Sequence, residues 1–261
     1  MRPSIALPTG PYDWNAERHP TAVFEERVAL LRRVLSERGL THAIVHGNGF
    51  DHEALLWLTH LTPKLGPAYA LVPAGGTLRV LFSGGPGMKP SAQRLTWVED
   101  VVALKSIAGD VAAWLGAGSE SGSFKVGLVE GGSMLRGDFA AVKHAAGDVV
   151  LLDDAVAALR DGTESARAAA AAAQTMQVAV RRLAELAKRG ADVRRIIIDV
   201  ERAAYEAGAQ DVRMLVGRRP HGPPTTPPDA PLAFEGPSVF AIFVRQDGAW
   251  AEQRVVQDAR D

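Results

Sequence analysis

The stretch from Glu164 to Arg189 constrains this chain most. It is rich in alanine, with six in a row from Ala168 to Ala173. Alanine is the best helix former because it loses no side-chain freedom when the backbone orders. Met176, Val180, Leu183 and Ala187 recur at spacings of four, three and four, which places one buried stripe along a long helix. A helix surfaced largely by methyl groups implies close approach to a neighbouring helix or sheet. Asp161, three residues before Glu164, resembles a capping box with Asp in the cap role. The composition changes at Asp153, so this helix opens a region different from the one before it.

The earlier region reads as alternating strands and helices. Pro3, Pro8, Pro11 and Pro20 make the first residues an irregular arm, with Tyr12 and Trp14 to pin it. Thr21 can cap a first helix whose Phe24, Val28, Leu31 and Leu35 share a face, ended by Gly39. Thr41 to His46 reads as a buried strand, Gly47-Asn48-Gly49 as a turn, and Glu53 to Leu58 as an apolar run of either type. Tyr69–Pro73 and Leu78–Phe82 around Ala74–Thr77 predict a hairpin. Strands at Trp97–Val102, Lys125–Val129 and Val149–Leu152 alternate with helices at Ile107–Leu115 and Asp138–Ala145. That alternation predicts an α/β domain, a mixed sheet flanked by helices, over residues 1–155. Beyond the alanine-rich helix, Asp192 can cap a second one carrying Val193, Ile197, Val200 and Ala204, ended by Gly208. His221 to Pro237 is too rich in proline for a regular element. Ser238–Val244 and Ala249–Val256 then form two strands around Gln246-Asp247-Gly248, where Asp-Gly signals a tight hairpin. Residues 156–261 therefore make a second, α+β part.

Charge and composition remove several function classes. Twenty-nine basic against thirty acidic residues leave a formal charge of −1 in 261 residues, so nothing general attracts nucleic acid or an anionic membrane. Without cysteine there is no disulfide framework, thiolate metal site or cysteine nucleophile. No apolar run reaches the ~18 residues of a membrane span. Met1-Arg2-Pro3-Ser4 does not start a basic-then-apolar leader. The expectation is a cytoplasmic protein without a nucleic-acid or membrane partner.

Four polar residues crowd one segment. His46, Asp51, His52 and His60 fall within fifteen residues, yet spacings of six and eight match no helical metal template such as His-Glu-x-x-His. Loops after strands in α/β sheets are nevertheless where ligands bind, so Asp51, His52 and His60 are candidate ligand contacts. Gly47-Asn48-Gly49 lacks the third glycine of a dinucleotide fingerprint, and Ser83-Gly84-Gly85-Pro86-Gly87 lacks the phosphate-loop spacing. There is no Gly-x-Ser-x-Gly nucleophile turn. Arg181-Arg182, Arg194-Arg195 and Arg218-Arg219 read as solvated helix or loop charges.

The order of these pieces resembles a known family. Phe24-Glu25-Glu26-Arg27 opening a helix, a strand after Gly39, and Asp51-His52-Glu53-Ala54-Leu55-Leu56-Trp57-Leu58-Thr59 resemble the N-terminal domain of creatinase, prolidase and aminopeptidase P. Leu159-Arg160-Asp161-Gly162-Thr163-Glu164 resembles the helix start of their pita-bread catalytic domain. Gly208-Ala209-Gln210-Asp211-Val212, Val216-Gly217 and Trp250-Ala251-Glu252 follow in the family's order. The resemblance implies a creatinase-type N-terminal domain joined to a partial pita-bread domain.

It also implies a site that can be checked by position. Members of the family hold two divalent metals with two Asp, one His and two Glu, the first two carboxylates eleven residues apart on a hairpin. Bridging carboxylates offset the paired cations and help activate a water. In this chain Glu252 falls near the second position, and eleven residues before it stands Ala241, which has no ligand atom. Asp247 is accounted for as the hairpin turn, and Arg254 falls one residue nearer than the family's Arg. His221 resembles the substrate-orienting His by placement. Only Val255 to Asp261 follow Arg254, so the later His and two Glu are not expected, and neither is a two-metal site in cis.

The main expectation is a non-peptidase relative: a pseudoenzyme or repurposed small-molecule-binding protein acting as an oligomer, with no cofactor. His221, Glu252, Arg254 and Trp250, with Asp51, His52 and His60, are its candidate binding residues. The expected partners are a second copy or another chain covering the terminal hairpin, together with a small-molecule or peptide ligand. Two alternatives stay open. One is a C–N hydrolase, acting on an Xaa-Pro peptide or creatine-like substrate, whose site is completed in trans. The other is a metal-free biosynthetic enzyme using histidine as acid or base.

Overall fold

The computed structural model describes residues 13–17, 19–63, 66–116, 124–161, 163–217, 223–225 and 232–258. The chain divides after Gly162 into two compact units, Tyr12–Gly162 and one that includes Thr163–Asp261.

The first unit is built on a six-stranded mixed sheet. Its strands are β1 (His42–Gly47), β2 (Ala68–Pro73), β3 (Arg79–Phe82), β4 (Asp100–Ala103), β5 (Val126–Val129) and β6 (Val149–Leu151), in the order β4-β3-β2-β1-β5-β6. β1 is central, antiparallel to β2 (Ile44↔Leu71) and parallel to β5 (Ile44↔Leu128). Successive side chains point to opposite faces of a strand, and both faces of this sheet are covered. Ala43, Val45, Ala70 and Val72 pack with α1 (Thr21–Glu37) and α2 (Glu53–Thr59) through Val28, Leu31, Leu35, Leu55 and Leu58. Ile44, Tyr69, Leu71 and Leu128 pack with α4 (Ile107–Gly116) and α5 (Arg136–Ala146) through Val111, Leu115 and Val142. Burial on both faces explains why β1 reads as a continuous apolar run rather than an alternation.

Local chemistry departs from the sequence reading at several places. Thr21 is the first residue of α1 rather than its cap; Pro20 takes that position with no side-chain cap bond. The apolar run at Glu53 is helical, and Trp97 lies before β4, which starts at Asp100. The segment after β3, read as turns, coils into a 3-10 turn at Pro86–Met88 and the short α3 (Lys89–Gln93). Asp161 is the C-cap of α6 (Asp153–Arg160).

In the second unit α7 (Thr163–Leu186) and α8 (Val193–Glu206) pack with a three-stranded antiparallel sheet. Its strands are β7 (Asp211–Gly217), β8 (Ser238–Gln246) and β9 (Ala249–Gln257), in the order β7-β8-β9. Met176, Ala179, Leu183, Ile197 and Val200 meet Val212, Met214, Phe240 and Ile242 in one core. Asp192 does cap α8, accepting from the Arg194 amide at 3.1 Å and from the Leu232 amide at 3.2 Å. Asp247 and Gly248 both have positive φ, 51° and 87°. A two-residue hairpin turn of the type that matches strand twist requires that, which is why Asp-Gly stands there. β7 was not anticipated from the sequence.

Among the described residues no helix is long and apolar enough to cross a membrane.

Candidate functional site

The first unit gathers its polar side chains where β1 and β5 end. A Cβ at Gly47 would stand 2.8 Å from Leu55 Cδ2 and 3.0 Å from His52 Cβ, so only glycine lets α2 begin against the end of β1. His52 takes the N-cap position of α2, is 3% exposed, and donates from Nδ1 to the Asn48 carbonyl at 2.8 Å. Asp51 is exposed, and its backbone amide donates to Asn48 Oδ1 at 2.9 Å. His60 caps the other end of α2 in the left-handed region (φ 62°) and donates from Nδ1 to the Leu95 carbonyl at 3.1 Å. Its ring lies 4.7 Å from that of His19. Eight residues of rise separate His52 from His60, about 12 Å. The structure therefore keeps these two candidates apart, each holding a neighbouring carbonyl.

Sequence reasoning missed the centre of this cluster. Glu130 follows β5 with φ 57°. Its Oε1 accepts from the Ala54 amide in the first turn of α2 at 2.9 Å, and its own amide donates to Asp153 Oδ1 at 2.7 Å. Its Oε2 is buried without a hydrogen-bond partner among the described residues. Burial, opposed by the Ala54 hydrogen bond and reinforced by the charge of Glu53, pushes the carboxyl up to about 7. His46, 1% exposed, has Nδ1 3.3 Å from the Glu130 carbonyl and 3.2 Å from Ser133 Oγ. Burial lowers its pKa, opposed by that carbonyl and by the Asp138 and Asp51 charges. Tyr69 donates to Asp138 Oδ2 at 3.2 Å, and its hydroxyl is raised well above its usual range by burial and then by the Asp138 charge. The one available signal was a glutamate and two glycines directly after a buried strand.

The second unit presents a charged face on its sheet. Trp250, Glu252 and Arg254 alternate outward along β9. Register places Arg245 opposite Trp250, Phe243 opposite Glu252, and Ala241 opposite Arg254. Ala241 and Glu252 therefore share that face at diagonal positions, where the resemblance implies the first pair of metal carboxylates. The guanidinium of Arg213 lies 4.9 Å from the Trp250 ring centre, and that of Arg245 lies 5.8 Å away, which makes the indole a cation-binding platform. Arg254 Nε is 3.7 Å from Glu252 Oε1. His221 lies outside the described residues.

The residues present do not suit a pair of divalent cations. Ala241 has no donor atom, and Glu252 is flanked by guanidinium groups rather than by further carboxylates. Among the described residues no group of three or more His, Asp or Glu is arranged to hold a metal.

No protein-family model matches the chain, and no curated protein matches it. Solved structures do. The prolidase from Pyrococcus horikoshii OT3 superposes over 90% of this chain and 65% of its own, with a TM-score of 0.67 at 15% identity. The X-Pro aminopeptidase from Thermotoga maritima MSB8 matches over 88% and 64%, with a TM-score of 0.68 at 16% identity. Dipeptidase PepE from Mycobacterium ulcerans matches over 93% and 66%, with a TM-score of 0.66 at 18% identity. The chain has the fold of these peptidases. The mixed sheet flanked by helices, joined to a pita-bread-type α+β part, is thus the architecture that the sequence resemblance implied. In this prolidase-type fold the chain spans between 64% and 66% of the length of those three structures.

Proposed function

We propose that this chain is a binding protein on a prolidase-type fold, working as an oligomer and without two-metal hydrolysis in cis. The observation that carries the reading is Ala241. It stands on the face and at the diagonal to Glu252 where a metal-binding carboxylate would be required, and it has no ligand atom. Two cations need several carboxylates to offset their charge. This face instead sets Arg213, Arg245 and Arg254 against Asp211 and Glu252. Guanidinium groups beside an indole suit a carboxylate-bearing small molecule or peptide end, which they bind with paired donors.

The test is metal titration with calorimetry, paired with an assay on Xaa-Pro dipeptides. No tight uptake of Mn²⁺ or Co²⁺ and no cleavage are expected. Tight binding of two equivalents together with cleavage would overturn the reading. The oligomer follows from β9, the last strand of its sheet, whose Trp250 and Val256 are 40% and 57% exposed. An edge with no pairing strand among the described residues, bearing exposed apolar side chains, is a natural seat for a second copy.

A further inference from the structure

The first unit holds a cavity of about 250 Å³ beside α3 that neither cluster above uses. Its floor is apolar and buried, formed by Leu61, Ala68 and Phe82, with Met88 at its side. Thr62 lines it and is 4% exposed, so a hydroxyl-bearing side chain stands on an otherwise apolar wall. A hydroxyl can both donate and accept, so it can meet either charged end of an occupant.

The remaining lining supplies one charge of each sign. Arg94 Nη2 lies 3.4 Å from Asp13 Oδ2, with both side chains largely exposed. That is longer than a charge-assisted hydrogen bond of ~2.7–2.9 Å, and exposed pairs of this kind are weak enough to reopen. The backbone under both charges is fixed. The Trp14 amide donates to the Arg94 carbonyl at 2.8 Å, and Trp14 Nε1 donates to the His19 carbonyl at 3.0 Å. His60 holds the Leu95 carbonyl, and Trp97 Nε1 donates to the Leu58 carbonyl at 3.1 Å.

We propose that this cavity binds a small zwitterion with an apolar side chain, the chemistry of a free α-amino acid. Its carboxylate meets Arg94 and the Thr62 hydroxyl, its ammonium meets Asp13, and its side chain lies on Leu61, Phe82 and Met88. A simple anion would face Asp13 and a simple cation would face Arg94, whereas a zwitterion replaces both halves of the weak pair. At about 250 Å³ the cavity suits a single small metabolite, below the ~300 Å³ at which drug-sized pockets begin. The inference stands on residues other than those of the β9 face, so either can fail alone.

Calorimetry and thermal shift on the full chain test it, with L-valine, L-leucine and L-methionine as probes. 4-Methylpentanoate serves as leucine without its amine, and 3-methylbutylamine as leucine without its carboxylate. At least one amino acid is expected to bind and raise Tm, with both leucine analogues at least ~10-fold weaker than leucine. Arg94→Gln, at a side chain 71% exposed, weakens binding at least ~10-fold with the thermal unfolding of the free chain little changed. Arg195→Gln on α8, the same charge change elsewhere, leaves it unaltered. Failure of all three amino acids to bind at about 10 mM would overturn the assignment. So would 4-methylpentanoate binding as well as leucine, or an unchanged Kd in Arg94→Gln.

Discussion

Glu130 joins three elements through one residue. Its left-handed backbone turns the chain at the end of β5, its Oε1 caps the first turn of α2, and its amide is held by Asp153 at the start of α6. A carboxyl whose folded pKa is about 7, above its unfolded value of about 4.5, keeps in the folded state a proton that the unfolded chain gives up. Its contribution to stability is therefore present below the unfolded value and lost as pH rises from about 4.5 to 7, by up to ~3 kcal/mol. Glu130→Gln retains an oxygen for the Ala54 amide and cannot ionise. Urea unfolding is expected to show it more stable than the parent at pH 8, with the difference closing towards pH 5. Equal curves at both pH values would remove the carboxyl from this role. His46 acts in the opposite direction, because its lowered pKa means that stability is lost as pH falls below the usual imidazole value of ~6.5. In the parent the two slopes oppose each other across pH 5–7. Glu130→Gln should remove its share of the opposing slope and uncover that of His46 and the likewise lowered His42, seen as a urea midpoint that falls more steeply than the parent's as pH drops from 7 to 5.

The long helix α7 was legible at the level of an element because its information is local. Alanine content, a stripe at Met176, Val180, Leu183 and Ala187, and the absence of breakers agree with one another; the structure buries Met176, Leu183 and Ala187 and half-buries Val180, with Ala179 taking the centre of the face. Ala172 and Ala179 are fully buried, and α7 lies against α8, β8 and β9. Ala179→Leu should therefore overpack the core and cost about 1–3 kcal/mol, read as a lower urea midpoint with little change in slope. A neutral result would mean that the helix does not approach its neighbours as closely as the alanines require. The Asp247-Gly248 hairpin was legible for the same local reason. β7 was not, since Arg213 interrupts its apolar run and its pairing with β8 is decided by residues about thirty positions away. α3, with its proline and polar residues, also carries no periodic signal. The candidate site divides along the same line. Trp250, Glu252 and Arg254 share a face because strand alternation is a period of two, and that could be read directly. Glu130, His46 and Asp153 meet only after β1, β5 and α6 are assembled. Their spacings of eighty-four and twenty-three residues hold no pattern to read.

The two units differ in kind: one sheet is covered on both faces, and the other ends, among the described residues, in the unpaired strand β9. In the first unit, helices cover both faces of the sheet, and the edge strand β6 is only three residues long, a length that limits edge-to-edge pairing. β9 is different: nine residues, regular, last in its sheet, and bearing Trp250 and Val256 outward. Arg213 and Arg245 flank the indole, so this edge attracts a surface that offers carboxylates or a second indole, and Glu252 supplies the former in another copy. Light scattering coupled to size exclusion is expected to give twice the chain mass at micromolar concentration. Val256→Lys places a charge on the strand without touching the core, since Val256 is exposed. It should weaken self-association at least ~10-fold and shift the eluting species to the single chain, with the far-UV circular dichroism unchanged. A parent that elutes as a clean monomer would show that the β9 edge is not used for self-association. A Val256→Lys dimer as tight as the parent's would move the contact away from β9.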